Sequence, residues 1–429
     1  MARMSLVVNG NFRASYRESI LTALFVCTCS ALVAASGVLV TAGGNDQRDY
    51  HWVTIQQMRE NLPHVDVVNV QTATAPLYHL IVTFISGPLH LTQSQTQFVG
   101  SLFAAALAAV TVWFVAPVND ASLRALAVAP LLLSPYFWQS ALWMLNDDAA
   151  LLFGLAALAL ILRHPGSGRS QICSGLLIAA AIATRQSYVW LLVPAVVTTL
   201  FATRGYPRSA RSAAAVRIAL PGLMVVAFLA SVWHGFAPPV FQEMNAAIWS
   251  WVSLSYCFAV AAVFFLPILV SIGIRRLDRP LIPIGLGMAA AIPAFVFESS
   301  ATKPPDSSRR GSLIWTFVAH TPTIAGRSIL LASLAFAGAW AVYLVLANLD
   351  RKTALLVGSG LVALSVAMVA GGRLYQKYFE LPIAALALIT IAALASSGAI
   401  KRRWPLLALA GLQAVLLAGI VVKPIVSAI

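Results

Sequence analysis

Ile20-Leu-Thr-Ala-Leu-Phe-Val-Cys-Thr-Cys-Ser-Ala-Leu-Val-Ala-Ala-Ser-Gly-Val-Leu-Val-Thr-Ala42 carries no charged residue, and it runs straight into Gly43-Gly-Asn-Asp46-Gln-Arg-Asp49-Tyr-His51. An uncharged apolar run of this length reads as a membrane-spanning helix. The polar stretch after it holds two carboxylates three residues apart at a membrane face. Gln56, Gln57, Glu60 and Asp66 extend it. Such carboxylates deprotonate a hydroxyl, bind a metal, or simply cap a helix.

The same pattern recurs along all 429 residues, which are 60% hydrophobic and only 10% charged, with a mean hydropathy of +0.84. That composition is polytopic membrane protein, not a soluble fold with a large core. Apolar runs fall near 20–42, 97–117, 125–145, 149–162, 171–184, 186–202, 217–234, 253–273, 281–297, 328–348, 353–370, 379–397 and 404–422. They predict an all-α transmembrane bundle of about thirteen helices. Lipid-exposed backbone must satisfy itself within helices, so an open sheet does not fit. The organisation expected is one integral membrane domain over 1–429, with a first outer loop carrying surface helices at 43–95 and a second large outer loop at 298–327.

Loop charge orients the chain. Basic clusters at Arg3/Arg13/Arg17, Arg124, Arg163/Arg169, Arg204/Arg208/Arg211/Arg217, Arg275/Arg276/Arg279, Arg351/Lys352 and Lys401/Arg402/Arg403 all fall on one side of these spans. By the positive-inside rule that side is cytoplasmic. It holds 18 Lys and Arg against 4 Asp and Glu; the other side holds ten of each, so the net charge of +14 lies wholly inside. The charge reflects topology and anionic lipid, and no nucleic-acid partner is expected. Ala75 to Leu91 would invert the scheme if it crossed, but Pro76, His79, Gly87 and Pro88 interrupt it. It reads as a surface or re-entrant helix beside the Asp46–Asp49 segment. Cys27, Cys29, Cys173 and Cys257 sit in apolar runs without metal-ligand spacing, and read as packing residues. No Walker loop or dinucleotide fingerprint is present, which argues against a nucleotide-driven pump.

Unusual polar residues gather on the outer side: Asp46 to Asp66, Asn146-Asp147-Asp148, Arg185-Gln186-Ser187, Glu298 to His320 with Arg309-Arg310, and Arg373-Leu-Tyr-Gln-Lys377-Tyr378. Two predicted spans, 149–162 and 171–184, would cover only roughly 21 Å of a ~30 Å hydrocarbon layer. Each meets a polar motif at its outer end, which sinks Asp147-Asp148 and Arg185-Gln186 below the surface, where ionisable groups are costly and usually functional. Plainer readings stand beside these. Asp46 suits an N-cap with Asp49 at N3, ahead of an amphipathic helix whose membrane side carries Trp52, Ile55, Met58 and Leu62. Asn146 or Asp147 suits the cap of the next helix, which explains one acid but not two; the second would bind a metal, orient a sugar hydroxyl or pair with an arginine. Tyr188 and Trp190 suit interface anchors. Arg185 suits a snorkelling arginine or a fork for phosphate oxygens. The outer pairs Arg309-Arg310 and Arg373…Lys377 answer either an anionic lipid phosphate or nearby Glu298, Asp306 and Glu380.

Asn146-Asp147-Asp148-Ala-Ala-Leu-Leu-Phe153 followed by Thr184-Arg185-Gln186-Ser-Tyr-Val-Trp190 resembles membrane glycosyltransferases of the GT-C class. The acid near Tyr50-His51, Thr72-Ala-Thr74-Ala-Pro76-Leu-Tyr78 and Lys377-Tyr378-Phe379-Glu-Leu-Pro382 add to the likeness, which covers 40–200 and 370–385. Within the class the chain most resembles the dolichyl-phosphoglucose-dependent α-1,2-glucosyltransferases. The resemblance implies a GT-C helical bundle that moves a hexose, glucose by resemblance, from a polyprenyl-phosphate donor to a glycan or lipid-linked acceptor on the non-cytoplasmic face, by a single inverting displacement. It implies Asp49, or else Asp46, as the base. Arg185, Lys377, Arg373 and Arg310 would meet the donor phosphate. Asp147, Asp148, Gln186, His51 and Trp190 would meet sugar or acceptor. No metal or cofactor is expected. The Ala/Arg-rich composition and short loops read as a bacterial cytoplasmic membrane with a periplasmic site, the endoplasmic reticulum being the alternative. A lipid-sugar or small-molecule transporter, and a non-catalytic envelope scaffold, are the competing readings.

Overall fold

A computed structural model describes residues 11–242, 249–273, 281–297, 313–371 and 374–429. The chain is a polytopic, helical integral membrane protein. In order it forms α1 (Asn11–Ser36), α2 (Thr41–Asp46), a π-helical turn (Gln47–His51), α3 (Trp52–Glu60), α4 (Leu77–Ser86), α5 (Gln93–Phe114), α6 (Ala121–Leu132), α7 (Pro135–Leu142), α8 (Asp147–Arg163) and α9 (Gly168–Thr184). A 3-10 turn (Gln186–Leu191) leads into α10 (Leu192–Ala202), followed by α11 (Arg208–Trp233), α12 (Pro239–Gln242), α13 (Val252–Ile272), α14 (Leu281–Val296) and α15 (Leu313–His320). A two-residue hairpin, β1 (Thr323–Ile324) and β2 (Arg327–Ser328), precedes α16 (Ile329–Leu346), α17 (Arg351–Ala367), α18 (Lys377–Ser396), α19 (Trp404–Leu417) and α20 (Lys423–Val426).

The apolar runs all fall on helix, some divided between two elements, but the expected thirteen or so spans are not found, because α8, α9, α10 and α14 have only 17, 17, 11 and 16 residues. Among the described residues eight helices are long and apolar enough to cross a membrane, and a ninth span arises if α6 and α7, bent by 66°, count as one. The bend has a local cause: Ser134 caps α7 by accepting from Tyr136 N–H, and Pro135 follows at N1. Polar caps set other starts: Thr92 with Gln95 in a reciprocal capping box for α5, Asp120 for α6, Ser167 for α9, Ser328 for α16 and Asp350 for α17. Two of the acids that share loops with the basic clusters, Asp120 and Asp350, are therefore helix caps. α8 and α9 have 17 residues each, longer than their apolar runs yet only about 25 Å at ~1.5 Å per residue.

α13 and α18 sit at the centre, and α1, α11 and α19 at the periphery. Leu21, Leu24 and Phe25 on α1, Leu223, Met224 and Phe228 on α11, and Leu407 and Val415 on α19 are exposed large apolar residues. In water such a surface would be a liability; facing lipid it costs nothing. α16 crosses α13 so closely that a Cβ at Gly338 would collide with the Phe258 carbonyl oxygen.

The described basic clusters meet at one end of the bundle. Arg124 reaches Glu18 (3.2 Å), Arg163 stacks on Trp113 (3.6 Å to the ring centroid), Lys352 Nζ donates to Leu162 O (2.6 Å), and Arg403 pairs with Asp120 (2.5 Å). Arg275, Arg276 and Arg279 lie outside the described residues.

Two expectations for the first outer loop are corrected. Asp46 is not an N-cap: the helix starts at Thr41 and passes through Asp46 in αR conformation, and the Asp46 side chain makes no capping bond. The apolar face of α3 does not meet lipid either. Ile55 and Met58 are fully buried, and Ile55 packs with Tyr78 and Val82 of α4. α4 is the interrupted segment, ten residues long and too short to cross.

Candidate functional site

Gly43 and Gly44 bring the loop helix down onto the bundle: a Cβ at Gly43 would lie 2.7 Å from the Trp143 ring, and one at Gly44 2.6 Å from the Leu39 backbone. Gln47, fully buried, then locks it. Its amide donates to Gln97 Oε1 (2.8 Å) and accepts from Met144 N–H (2.9 Å), while Gln97 donates to Leu142 O (2.7 Å). Sequence reasoning passed over this clamp, because a glutamine between two charged candidates gives no signal of burial.

Next comes the π turn. Its i→i+5 hydrogen bonds stack residues five apart, where an α-helix stacks those three or four apart. Asp46 and His51 therefore share the inward side, and Asp49 turns away. Asp49 is half-exposed against Arg48 (2.8 Å), whose hydrogen bond holds its carboxyl below the usual carboxylate range. Asp46 Oδ2 instead accepts from Lys377 Nζ (2.8 Å), the first residue of α18.

Lys377 stands beside a second ion pair. Arg185, the C-cap of α9, is 6% exposed and binds Asp147, the first residue of α8. Its guanidinium also lies over the Tyr378 ring, 4.2 Å from the centroid. Two carboxylate–cation pairs, Asp46–Lys377 and Asp147–Arg185, thus flank Tyr378. Each cation has its own carboxylate, joined across 331 and 38 residues of sequence.

The capping readings for α8 do not hold. Asn146 makes no capping bond and donates to Thr74 Oγ1 (2.8 Å) and Thr184 O (3.0 Å). Asp148 is 1% exposed, and neither of its carboxylate oxygens has a hydrogen-bond partner among the described residues. Gln186 is occupied by the loop backbone, donating to Ala73 O (2.8 Å) and Phe236 O (3.0 Å) and accepting from Ala75 N–H (3.0 Å). Tyr188 and Trp190 are buried and are no interface anchors; the Trp190 indole N–H has no partner among the described residues. Arg310 and Arg373 lie outside the described residues. No group of three His, Cys, Asp or Glu side chains able to hold a metal occurs among the described residues.

One turn along α18 lies Glu380, read from the sequence as a counter-charge for the outer basic pairs, yet Lys377 pairs with Asp46 instead. Glu380 is 1% exposed and accepts from Ser134 Oγ (2.9 Å) and Gln376 Nε2 (2.6 Å). It borders a cavity of about 210 Å³ lined largely by apolar side chains, among them Val260, Phe264, Ile314 and Phe317.

The arrangement offers a carboxylate at a partly open position, two cations able to face a developing anion, and an aromatic floor. It sits where α2, the ends of α9 and the starts of α8 and α18 converge. No family model, no curated protein and no solved structure matches this chain.

Proposed function

We propose that this chain is a GT-C-type membrane glycosyltransferase that moves a hexose, glucose by resemblance, from a polyprenyl-phosphate donor to a glycan or lipid-linked acceptor. The transfer takes place at the end of the bundle opposite the basic loops. In a bacterial cell that is the periplasmic face of the cytoplasmic membrane. The observation that carries the reading is the joining of Asp46, Lys377, Arg185 and Asp147 around Tyr378 by four segments separate in sequence.

The chemistry follows from the charges. The acceptor hydroxyl attacks the anomeric carbon as the carbon–oxygen bond to phosphate breaks, and that electron pair leaves on the phosphate. The hydroxyl proton passes to a carboxylate. Asp46 takes this role in preference to Asp49, because Asp49 faces solvent against Arg48 while Asp46 stands among the cations. A phosphate is already a stable anion, so its departure needs charge stabilisation and not a proton. Lys377 has three donors and needs only one for Asp46. Turning another toward the phosphate would strengthen the leaving group and loosen its hold on the base together.

The test is turnover of a synthetic polyprenyl-phosphoglucose by the purified full-length protein with extracted membrane lipids and glycans as acceptors. Expected is release of polyprenyl phosphate matched by sugar incorporation, abolished in Asp46→Asn. No turnover, or equal turnover by that variant, would overturn the assignment.

A further inference from the structure

The donor set of this site has one more member, and a second histidine sets its state. His51 Nδ1 lies 2.8 Å from His79 Nε2, with the rings 6° from coplanar and their centroids 5.1 Å apart. That is the spacing of two imidazoles joined edge to edge by one N–H···N bond. One ring must donate and the other accept, so two arrangements exist. If His51 donates, the second proton of the pair sits on His79 Nδ1. That atom is fully buried and has no partner among the described residues. If His79 donates, its Nδ1 keeps only a lone pair, and the free N–H moves to His51 Nε2. A buried donor without an acceptor is the rarer and costlier orphan. The second arrangement is therefore favoured.

The surroundings supply a counterweight and remove it again. Lys377 and Arg185 bear on His51 and, alone, would draw a lone pair toward them. Each is neutralised in place, Lys377 by Asp46 and Arg185 by Asp147. His79 itself is flanked by uncharged Tyr78 and by His51. Burial, with the two cations second, pushes His51 down to about 3, and His79 also falls well below the usual imidazole range through burial. Both shifts favour the uncharged pair.

We propose that His79 locks His51 in the neutral Nε2–H tautomer, so that His51 offers an uncharged N–H donor to a phosphate oxygen held at the Asp46–Lys377–Arg185 cluster. His51 is the contact and His79 a positioning residue. The ligand class, an anionic phosphate ester, rests on the function proposed above; the tautomer does not.

Two measurements separate these layers. The first is nitrogen NMR of the full-length protein labelled at histidine, with signals assigned through His51→Gln and His79→Gln. Expected is His51 protonated at Nε2 alone and unchanged from about pH 5 to about pH 8, the window in which a free imidazole titrates. A proton on Nδ1, or titration in that window, overturns the tautomer assignment whatever the enzyme does. The second is binding of a short-chain prenyl phosphate, with inorganic phosphate compared alongside. His51→Gln places an amide N–H near the position of Nε2, and should keep affinity within about threefold; His51→Asn places it near Nδ1 and should lose about tenfold or more, the value of a hydrogen bond to a charged group. Equal losses in both variants overturn the donor role. Absence of phosphate binding in the unaltered protein overturns the ligand class and the proposed function together, leaving the tautomer to the first measurement. Tight prenyl phosphate binding with weak inorganic phosphate identifies the lipid carrier as the source of the anion.

Discussion

The two ends of the bundle both carry arginine, lysine, aspartate and glutamate, and use them differently. At the basic end, Arg403–Asp120 and Arg124–Glu18 lie at the rim, with Arg403 and Glu18 about half exposed, and Asp120 also serves as a cap. At the opposite end, Arg185 and Asp147 are both nearly buried, and Lys377–Asp46 lies between. Charge in water at a membrane edge fixes which way the chain faces; charge taken out of water must be paired and is retained for chemistry or for shape. Burial, not residue type, separates the two sets of charged pairs here.

The comparison breaks most visibly at Asp46. Asp46→Asn keeps size and removes basicity, and loss of a general base typically costs ~10²–10⁴ in rate. Asp49→Asn, three residues on, should leave transfer near normal, since that side chain faces solvent. Sugar transfer at matched expression decides. Loss in Asp49→Asn with a normal Asp46→Asn would mean that the π turn does not aim the site as described.

Next in size is the buried pair. Removing one partner of such a pair is expected to cost roughly 3–5 kcal/mol, because an uncompensated charge stays behind. Arg185→Ala or Asp147→Ala should therefore lower the unfolding midpoint in detergent markedly, while Asp147→Ala combined with Arg185→Met recovers much of the loss. If each single variant is as stable as the parent, the pair is not buried and the contrast between the two ends disappears.

Much of this contrast was legible beforehand. Periodicity placed the apolar runs on helices but overcounted the spans, of which eight or nine are long enough among the described residues, and loop charge gathered the basic clusters that the fold brings together, because both depend on local composition. The interrupted segment at 75–91 forms only a ten-residue helix, in keeping with its prolines and glycine. The errors have one physical origin: long-range partners override local rules. Asp46 looked like a cap because an N-cap is read from a few neighbours, yet its partner lies on α18. Asp49 turns away from Lys377 and onto Arg48 because the π turn departs from the α-helical period. The apolar face of α3 looked membrane-facing because hydropathy does not distinguish lipid from α4. The Gln47–Gln97 clamp and the hydrogen bonds of Glu380 to Ser134 and Gln376 give no sequence signal, since their polar groups are satisfied only after folding.

Glu380 sharpens the comparison from inside the membrane. Its carboxyl holds Ser134 and Gln376, and Gln376 Oε1 in turn accepts from Ile314 N–H (3.2 Å). Glu380→Ala strands these groups away from water, at about 1–3 kcal/mol per unsatisfied group. Glu380→Gln preserves most of the network and should cost clearly less. Thermal unfolding of both variants tests whether hydrogen bonding or charge holds this cluster: equal destabilisation would assign it to charge.

The smallest effect is expected at the basic end, where it is most diagnostic. Asp120 combines two functions, accepting from Ser122 and Leu123 N–H as the cap of α6 and pairing with Arg403. Asp120→Asn keeps a good cap and removes the charge; Asp120→Ala removes both. Exposed ion pairs are worth at most about 1 kcal/mol, and loss of a cap typically about 1. Asp120→Asn and Arg403→Ala should thus each shift stability by less than Asp120→Ala, and none should change transfer. Arg403→Ala also removes one of three adjacent cations, Lys401, Arg402 and Arg403, and leaves two to hold the loop inside. Labelling of Ser209→Cys and Asn61→Cys from opposite sides of sealed vesicles should be unchanged by it. A loss of transfer in Arg403→Ala comparable to that in Arg185→Ala, with labelling intact, would show that the basic end takes part in the reaction and that burial does not divide the two kinds of charge.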